Sequence, residues 1–341
     1  MRVAMYYNNN DVRLQEMSMP EIGPGELLVR VEACGICGSD VIEWYRVSKA
    51  PLVLGHEIAG QVVRLGEGVT RYKEGDRVFV YHHVPCNTCH YCLSGHHTTC
   101  DTFRGTHFYP GGFAEYVRVP AINMDRGVYL LPDEVSYEEA TFTEPLACAV
   151  RGMRLAHMEV GRSVLILGSG IIGLIQAQLA RALGASRVVA TDVNEYRLNA
   201  ARRFGADFAL HAQEDVPARL REVNGGRLAD LVIVCAGAPP ALEQAMHSVE
   251  RGGTVLLFAP MLPDVKLSVP VTDLFFNEIT ITTSYSGSPQ DATVALDLIR
   301  NRSVQVREMI THRFSLADTQ RGFQITAEAQ DSIKVIIEPQ K

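Results

Sequence analysis

No stretch of the sequence stays apolar long enough to cross a bilayer, which takes about 20 consecutive residues, so a helical membrane span is excluded. Lysine and arginine never gather into a stripe and the net charge is −7, which argues against a nucleic-acid partner. The first residues lack the basic, apolar and small-residue layout of a secretory leader, and the expected location is the cytoplasm. Internal repeats and low-complexity linkers are also missing, which leaves ordinary folded domains. What is present suits a soluble globular enzyme: 47% hydrophobic and 21% charged residues, in a chain of 341 that is long enough for two domains.

The most informative stretch runs from Ser163 to Asp192. Val164 to Leu167 form a short apolar run suited to a buried strand, and Gly168, Gly170 and Gly173 follow at once with GxGxxG spacing. Apolar residues from Ile171 to Leu183 then recur at helical spacing, Gly184 ends the helix, and Arg187 to Thr191 read as a second strand closed by Asp192. A GxGxxG alone is often just a turn. Here strand, helix, second strand and an acid about 20 residues on agree with a dinucleotide cradle. In such a cradle the first glycine permits the tight turn, the second lets backbone approach a pyrophosphate, and the third lets helix and strand pack closely. The helix N-terminus adds unpaired N–H groups and a positive dipole end. A carboxylate at Asp192 accepts hydrogen bonds from a free ribose 2′-hydroxyl and repels a 2′-phosphate, which favours NAD over NADP. Arg197 could pair with a phosphate, although the simpler expectation places it against the adenine ribose.

The first half is rich in candidate strands, at Val3–Tyr7, Glu26–Glu32, Gln61–Leu65, Arg77–Tyr81 and Ala114–Val119, punctuated by glycine turns, and this reads as a partly barrel-like domain. Within it lie Cys34-Gly-Ile-Cys37-Gly-Ser39-Asp40 and Gly55-His56-Glu57-Ile-Ala-Gly60. A thiolate, an imidazole and nearby carboxylates make a zinc ligand set that leaves one position for water or substrate. Taken singly, each segment is more simply a buried cysteine or a satisfied histidine. Cys86, Cys89, Cys92 and Cys100 are four thiols in one short stretch outside any regular element, a pattern that fits a closed tetrahedral zinc site holding a loop. A redox Cys-x-x-Cys pair would leave two of them without a role. His90, His96 and His97 are expected to be solvated.

After Asp192 the alternation continues, with helices at Val193–Phe204, Val216–Val223 and Pro240–Val249 and strands at Asp207–Leu210, Leu231–Cys235, Thr254–Phe258 and Ile279–Thr283. This predicts a parallel, doubly wound α/β sheet. Gln290–Arg300 and Leu316–Thr326 read as amphipathic helices and Lys334–Glu338 as a final strand.

With these pieces in place the sequence resembles the medium-chain zinc-dependent alcohol and polyol (sorbitol-type) dehydrogenases over essentially its whole length. The resemblance rests on Gly35 to Asp40, Gly55 to Gly60, the four-cysteine lobe and the GSGIIG turn, in that order. It implies a strand-rich GroES-like catalytic domain, residues 1–150 with 287–341 and a zinc lobe at 86–100, and a Rossmann NAD-binding domain at 151–286, with a cleft between them. It further implies two zinc ions per chain: a catalytic one held by Cys37 and His56, and a structural one held by Cys86, Cys89, Cys92 and Cys100. Where the alcohol-dehydrogenase branch has a cysteine, this chain has Glu144-Pro145, the polyol-branch pattern, in which Glu57 can bind the metal and Glu144 binds the metal or its water. The alternative for Glu144 is an N-cap carboxylate favoured by the helix dipole, and Ser136 with Glu139 forms a capping box just before it. Cys148 reads as a packed small hydrophobe.

Ser39 matches the hydroxyl that begins proton transfer in the family, and Ile172 matches the residue that packs behind the nicotinamide. Many relatives finish the proton relay with a histidine two or three residues beyond the serine, but this chain has Asp40, Val41 and Ile42. Water reached through the ribose hydroxyls, or His82 or His83, would have to serve instead. The implied reaction is NAD-dependent oxidation of a secondary alcohol in a polyol, cyclitol or related small molecule, by a homodimer or homotetramer. The alternatives are a primary-alcohol dehydrogenase or aldehyde reductase, against which Glu144 speaks, and a zinc-stabilised NAD sensor without chemistry, against which Cys37, His56 and Ser39 speak. Trp44, Arg104, His107 and Tyr285 are positions near the implied pocket, and no arginine beside Tyr285 points to sorbitol itself.

Overall fold

Ser163–Leu167 is buried along its whole length, as a strand must be when helices cover both faces of a parallel sheet. It lies at the centre of six parallel strands in the order Phe208–His211, Arg187–Asp192, Ser163–Leu167, Ala229–Val234, Val249–Leu257 and Thr280–Thr283. The chain winds outward from Ser163–Leu167 in one direction and then restarts on its other side, so the strand order reverses beside that strand. Ligands bind at such switch points, at the C-terminal ends of the strands, where Gly168 begins. The computed structural model describes residues 1–341, which divide into two compact units: Met1–Ala147 with Gly287–Lys341, and Cys148–Ser286, which holds this sheet.

In the first unit, Asp11–Glu16, Arg2–Asn8 and Leu52–Val53 make a small sheet. A larger one runs Ile310–Ser315, Lys334–Glu338, Leu27–Gly35, Glu57–Leu65, Arg77–Tyr81 and Val128–Leu130, with Tyr116–Val119 also paired to Leu27–Gly35. Val29, Val31, Ile58, Val62, Val78 and Val80 fill the core with Tyr6, Phe113 and Phe323, whose rings meet at 5.6–5.7 Å. Antiparallel pairing sets Gly35 opposite Glu57. That one register brings together the residues that follow the first strand and those that precede the second, Cys37 and His56.

Most differences from the sequence reading lie at strand edges. Gln61–Leu65 begins four residues earlier, at Glu57, because Glu57 and Gly60 break the alternation that marks a strand. Asp11–Glu16 and Ile310–Ser315 carry too many polar residues to stand out. The helix expected from Val193 begins at Glu195, where the Asn194 side chain accepts from the Tyr196 and Arg197 amides and so caps it.

Glu139 fastens the returning C-terminal segment to the N-terminal part of the first unit. Its buried carboxylate closes the Ser136 capping box, at 3.0 Å from the Ser136 amide, and meets Arg302 at 2.8 Å and Arg307 at 3.5 Å. Burial pushes this carboxyl upward, but the Ser136 donors and the two guanidinium groups outweigh it and hold it below its usual range. Glu139→Gln is therefore expected to destabilise the protein by about 1.5–3 kcal/mol at neutral pH. A depressed folded value contributes stability above the unfolded value and loses it as pH falls through the folded one. Urea melts should show the gap between variant and wild type closing below about pH 4.

Candidate functional site

The chain leaves Leu27–Gly35 and turns through the short helix Gly38–Val41, for which Cys37 is the N-cap. The Cys37 Sγ accepts from the Ser39 amide and hydroxyl, each at 3.4 Å, while the Asp40 carboxylate accepts from the Cys37 amide at 3.1 Å. These contacts fix the direction of the Cys37 sulfur. Asp40, fully buried, also lies 3.3 Å from His56 Nδ1, so Nε2 is the nitrogen left for a metal. Burial works against charging His56, but Asp40 and Cys37 overcome it and raise its proton affinity well above the ordinary value. Asp40 and Cys37 thus favour positive charge at this point.

The ligand atoms of Cys37, His56 and Glu57 all lie within 4.8 Å of one another. Sulfur, nitrogen and oxygen at such separations suit zinc, whose bonds to them run from about 2.0 to 2.3 Å. Glu57 is buried and paired with Lys334, also buried, whose Nζ donates in addition to the Ile36 carbonyl at 3.2 Å. The sequence reading missed Lys334. The available signal was a lone cation opening the apolar strand Lys334–Glu338, where a charge is retained only if paired.

Glu144 is the second residue of helix Thr143–Leu155 and is buried, but it does not join the triangle, and neither does Cys148. His82 and His83, named as substitutes for the missing relay histidine, do lie beside the site. The rings of His56 and His82 are 4.9 Å apart, those of His82 and His83 are 4.0 Å apart, and His107 is 4.4 Å beyond. Burial first, and neighbouring imidazoles second, push His82 down strongly and His83 down to about 3, so both are neutral at physiological pH. On the other side, Arg46 Nη2 reaches the Ser39 hydroxyl at 3.0 Å and Asp40 at 3.3 Å, and its Nε donates to the Ser39 carbonyl at 2.9 Å. Arg46 too was missed, since nothing local in the sequence ties it to Ser39.

Four sulfurs held tetrahedrally at about 2.3 Å from a zinc ion stand about 3.8 Å apart. In the lobe, Cys86 is 3.9 Å from Cys92 and 3.6 Å from Cys100, and Cys89 is 3.6 Å from Cys92. All four are free thiols. The Thr88 amide and hydroxyl and the Cys89 amide point at Cys86 and bring its thiol down to about 5. Both the edges and the donors fit a closed zinc site.

At the glycine turn the three positions differ as a dinucleotide cradle requires. Gly168 has φ +101°, and a side chain there would crowd Ala236; one at Gly173 would overlap the Gly168 carbonyl oxygen; one at Gly170 would meet nothing within 4 Å. Gly170 caps helix Ile171–Ala182 without a side-chain acceptor, so the first amides of the helix face that open space. Ile172 is half-buried in the same first turn. Asp192 is buried at the end of the next strand and accepts from the Ser169 amide at 2.8 Å and the Asn194 amide at 3.0 Å. It thus braces the turn and retains lone pairs for a ligand hydroxyl. Arg197 Nε is buried with no partner, a donor for a polar ligand group.

Comparison with known proteins places the chain in a family. Residues 23–133 match the alcohol dehydrogenase GroES-like domain and residues 172–301 the zinc-binding dehydrogenase domain. The chain is 31% identical to sorbitol dehydrogenase of Gallus gallus, over 98% of this chain and 95% of that protein. It is 32% identical to L-threonine 3-dehydrogenase of Shigella sonnei (strain Ss046), over 95% of each. Among solved structures it resembles the short chain alcohol dehydrogenase of E. coli CFT073 complexed with cofactor NADH, with 27% identity, a TM-score of 0.88 and 99% of each chain covered.

Proposed function

Because the chain belongs to the medium-chain zinc-dependent alcohol and polyol dehydrogenases, we propose that it oxidises a secondary alcohol of a polyol, cyclitol or related hydroxylated compound to the ketone with NAD, and catalyses the reverse reduction. It is an oxidoreductase of zinc and NAD(P); the secondary alcohol, the preference for NAD and the residue roles are our reading. The observation that carries it is the triangle of Cys37, His56 and Glu57. These residues would hold the catalytic zinc, and Cys86, Cys89, Cys92 and Cys100 the structural one. A bound zinc supplies Lewis acidity that makes an alcohol easier to deprotonate.

The remaining roles belong to side chains and backbone. Asp40 keeps the proton of His56 on Nδ1 and so fixes the imidazole. Ser39 Oγ is the hydroxyl through which the alcohol proton moves, and Glu144 is assigned to the metal or its water. Gly168, Gly170 and Gly173 admit the pyrophosphate to the helix N-terminus, Ile172 packs behind the nicotinamide, and Arg197 lies against the adenine ribose. Hydride transfer itself is the chemistry of the nicotinamide. We also read residues 1–150 with 287–341 as the catalytic domain and 151–286 as the cofactor domain, in a cytoplasmic homodimer or homotetramer. No helix is long and apolar enough to cross a membrane.

The test is metal analysis of the purified chain together with a panel of polyols, inositols and amino alcohols, followed by nicotinamide absorbance. Two zinc ions per chain with turnover of secondary alcohols are expected. A single zinc and no turnover across the panel would overturn the reading. Asp192→Ser removes the acceptor assigned to the ribose. Since a charge-assisted hydrogen bond is worth about 1.5–3 kcal/mol, the ratio of kcat/KM for NAD to that for NADP should fall by about 10- to 100-fold. An unchanged ratio would count against the ribose contact.

A further inference from the structure

Arg46 ends the four-residue helix Glu43–Arg46, and its side chain is only 15% exposed. Its guanidinium reaches two metal-ligand side chains, each through one intermediary. Along one path, Nη2 donates to Ser39 Oγ at 3.0 Å, and Ser39 Oγ donates to Cys37 Sγ at 3.4 Å. Along the other, Nη2 meets Asp40 Oδ1 at 3.3 Å, and the same oxygen lies 3.3 Å from His56 Nδ1. The bond from Nε to the Ser39 carbonyl, at 2.9 Å, anchors the fork between them. A planar guanidinium can satisfy these directions together, whereas a flexible ammonium presents a point charge.

We propose that Arg46 is a positioning residue of the catalytic metal site, setting Cys37 through Ser39 and His56 through Asp40; the proposal rests on the zinc assignment above. Guanidinium donates and never accepts. With one lone pair of Ser39 occupied by Arg46, the single hydroxyl proton of Ser39 has two uses, toward the Cys37 sulfur or toward a substrate oxygen, and no proton leaves by way of Arg46. Ile42, at the N-cap of the same helix, offers no side-chain acceptor either. Arg46 thus holds Ser39 in place while leaving it free to turn its proton between thiolate and substrate.

The experiment compares wild type, Arg46→Met and Arg46→Lys as holoenzymes. The rate at which each zinc is lost to a chelator is followed with a metal-sensitive dye, alongside kcat, the KM for alcohol and the KM for NAD. Changes in groups that orient metal ligands typically cost 10- to 100-fold in metal affinity or activity. In Arg46→Met the catalytic zinc should leave about 10-fold faster or more, the lobe zinc should keep its wild-type rate, and kcat should fall about 10-fold or more with the KM for NAD unchanged. Arg46→Lys, with the charge but not the fork, should recover part of kcat and still lose the catalytic zinc faster than wild type. Wild-type zinc retention and kcat in Arg46→Met would overturn the proposal. So would equal acceleration of both zinc ions, which marks a general loss of structure. If Arg46→Met does not fold, Arg46→Lys decides, and zinc loss at the wild-type rate in it overturns the proposal. A wild-type chain holding zinc only in the cysteine lobe would instead remove the assignment beneath it, a failure visible before any variant is made.

Discussion

Cys37→Ala and His56→Ala are each expected to lower kcat/KM for alcohol oxidation by about 10³-fold or more, and to leave one zinc ion per chain where the wild type holds two. A Lewis acid contributes several kcal/mol to such a reaction, and each 1.36 kcal/mol is a factor of ten. The fold should survive. Both residues lie at the ends of strands and not within them, and neither is fully buried. Far-ultraviolet circular dichroism and the melting temperature should therefore stay close to wild type, while metal analysis shows the lobe zinc alone. Wild-type turnover in either variant, with its zinc content confirmed, would remove the catalytic metal from these residues.

Cys100→Ala should act through structure instead. The lobe has almost no apolar core of its own: Phe103 packs with Cys92 and Cys100, and Tyr91 and Leu93 face solvent. Its helices, His90–Leu93 and Asp101–Gly105, are single turns too short to persist alone. Structural zinc contributes about 10–16 kcal/mol in zinc-finger peptides, far more than one phenylalanine can. Without the fourth thiolate this segment is expected to open. Limited proteolysis should then cut between Cys86 and Gly105 at least about 10-fold faster than in wild type, while the fragment from Cys148 to Ser286 resists as before. An unchanged cleavage pattern would mean that packing, and not metal, holds the lobe.

How far the sequence alone could be read follows from the distance over which each signal acts. The lobe cysteines lie within 15 residues and the glycine turn within six, so local spacing was enough to find them. Cys37 and His56 were found as motifs, but what makes them meet is the pairing of Gly35 with Glu57, a register no local pattern states. Glu57 was named without its partner, because Lys334 lies 277 residues away and the lone cation that opens its strand does not say which carboxylate it meets. Arg46 lay within ten residues of Cys37 and still escaped, since its importance depends on how the short helices at 38–41 and 43–46 turn the side chain back. Glu144 was named from its motif as a holder of the metal or its water, and it lies outside the triangle of Cys37, His56 and Glu57.

The pairing of Glu57 with Lys334 also sets an order of events during synthesis. The parallel sheet can close once Thr280–Thr283 has left the ribosome, but at that moment the buried partner of Glu57 has not been made. On a nascent chain that has not yet delivered Lys334–Glu338, Glu57 lacks the cation it is buried against in the folded protein. The surroundings of the triangle are thus completed late in translation, although all three of its members are among the first sixty residues translated.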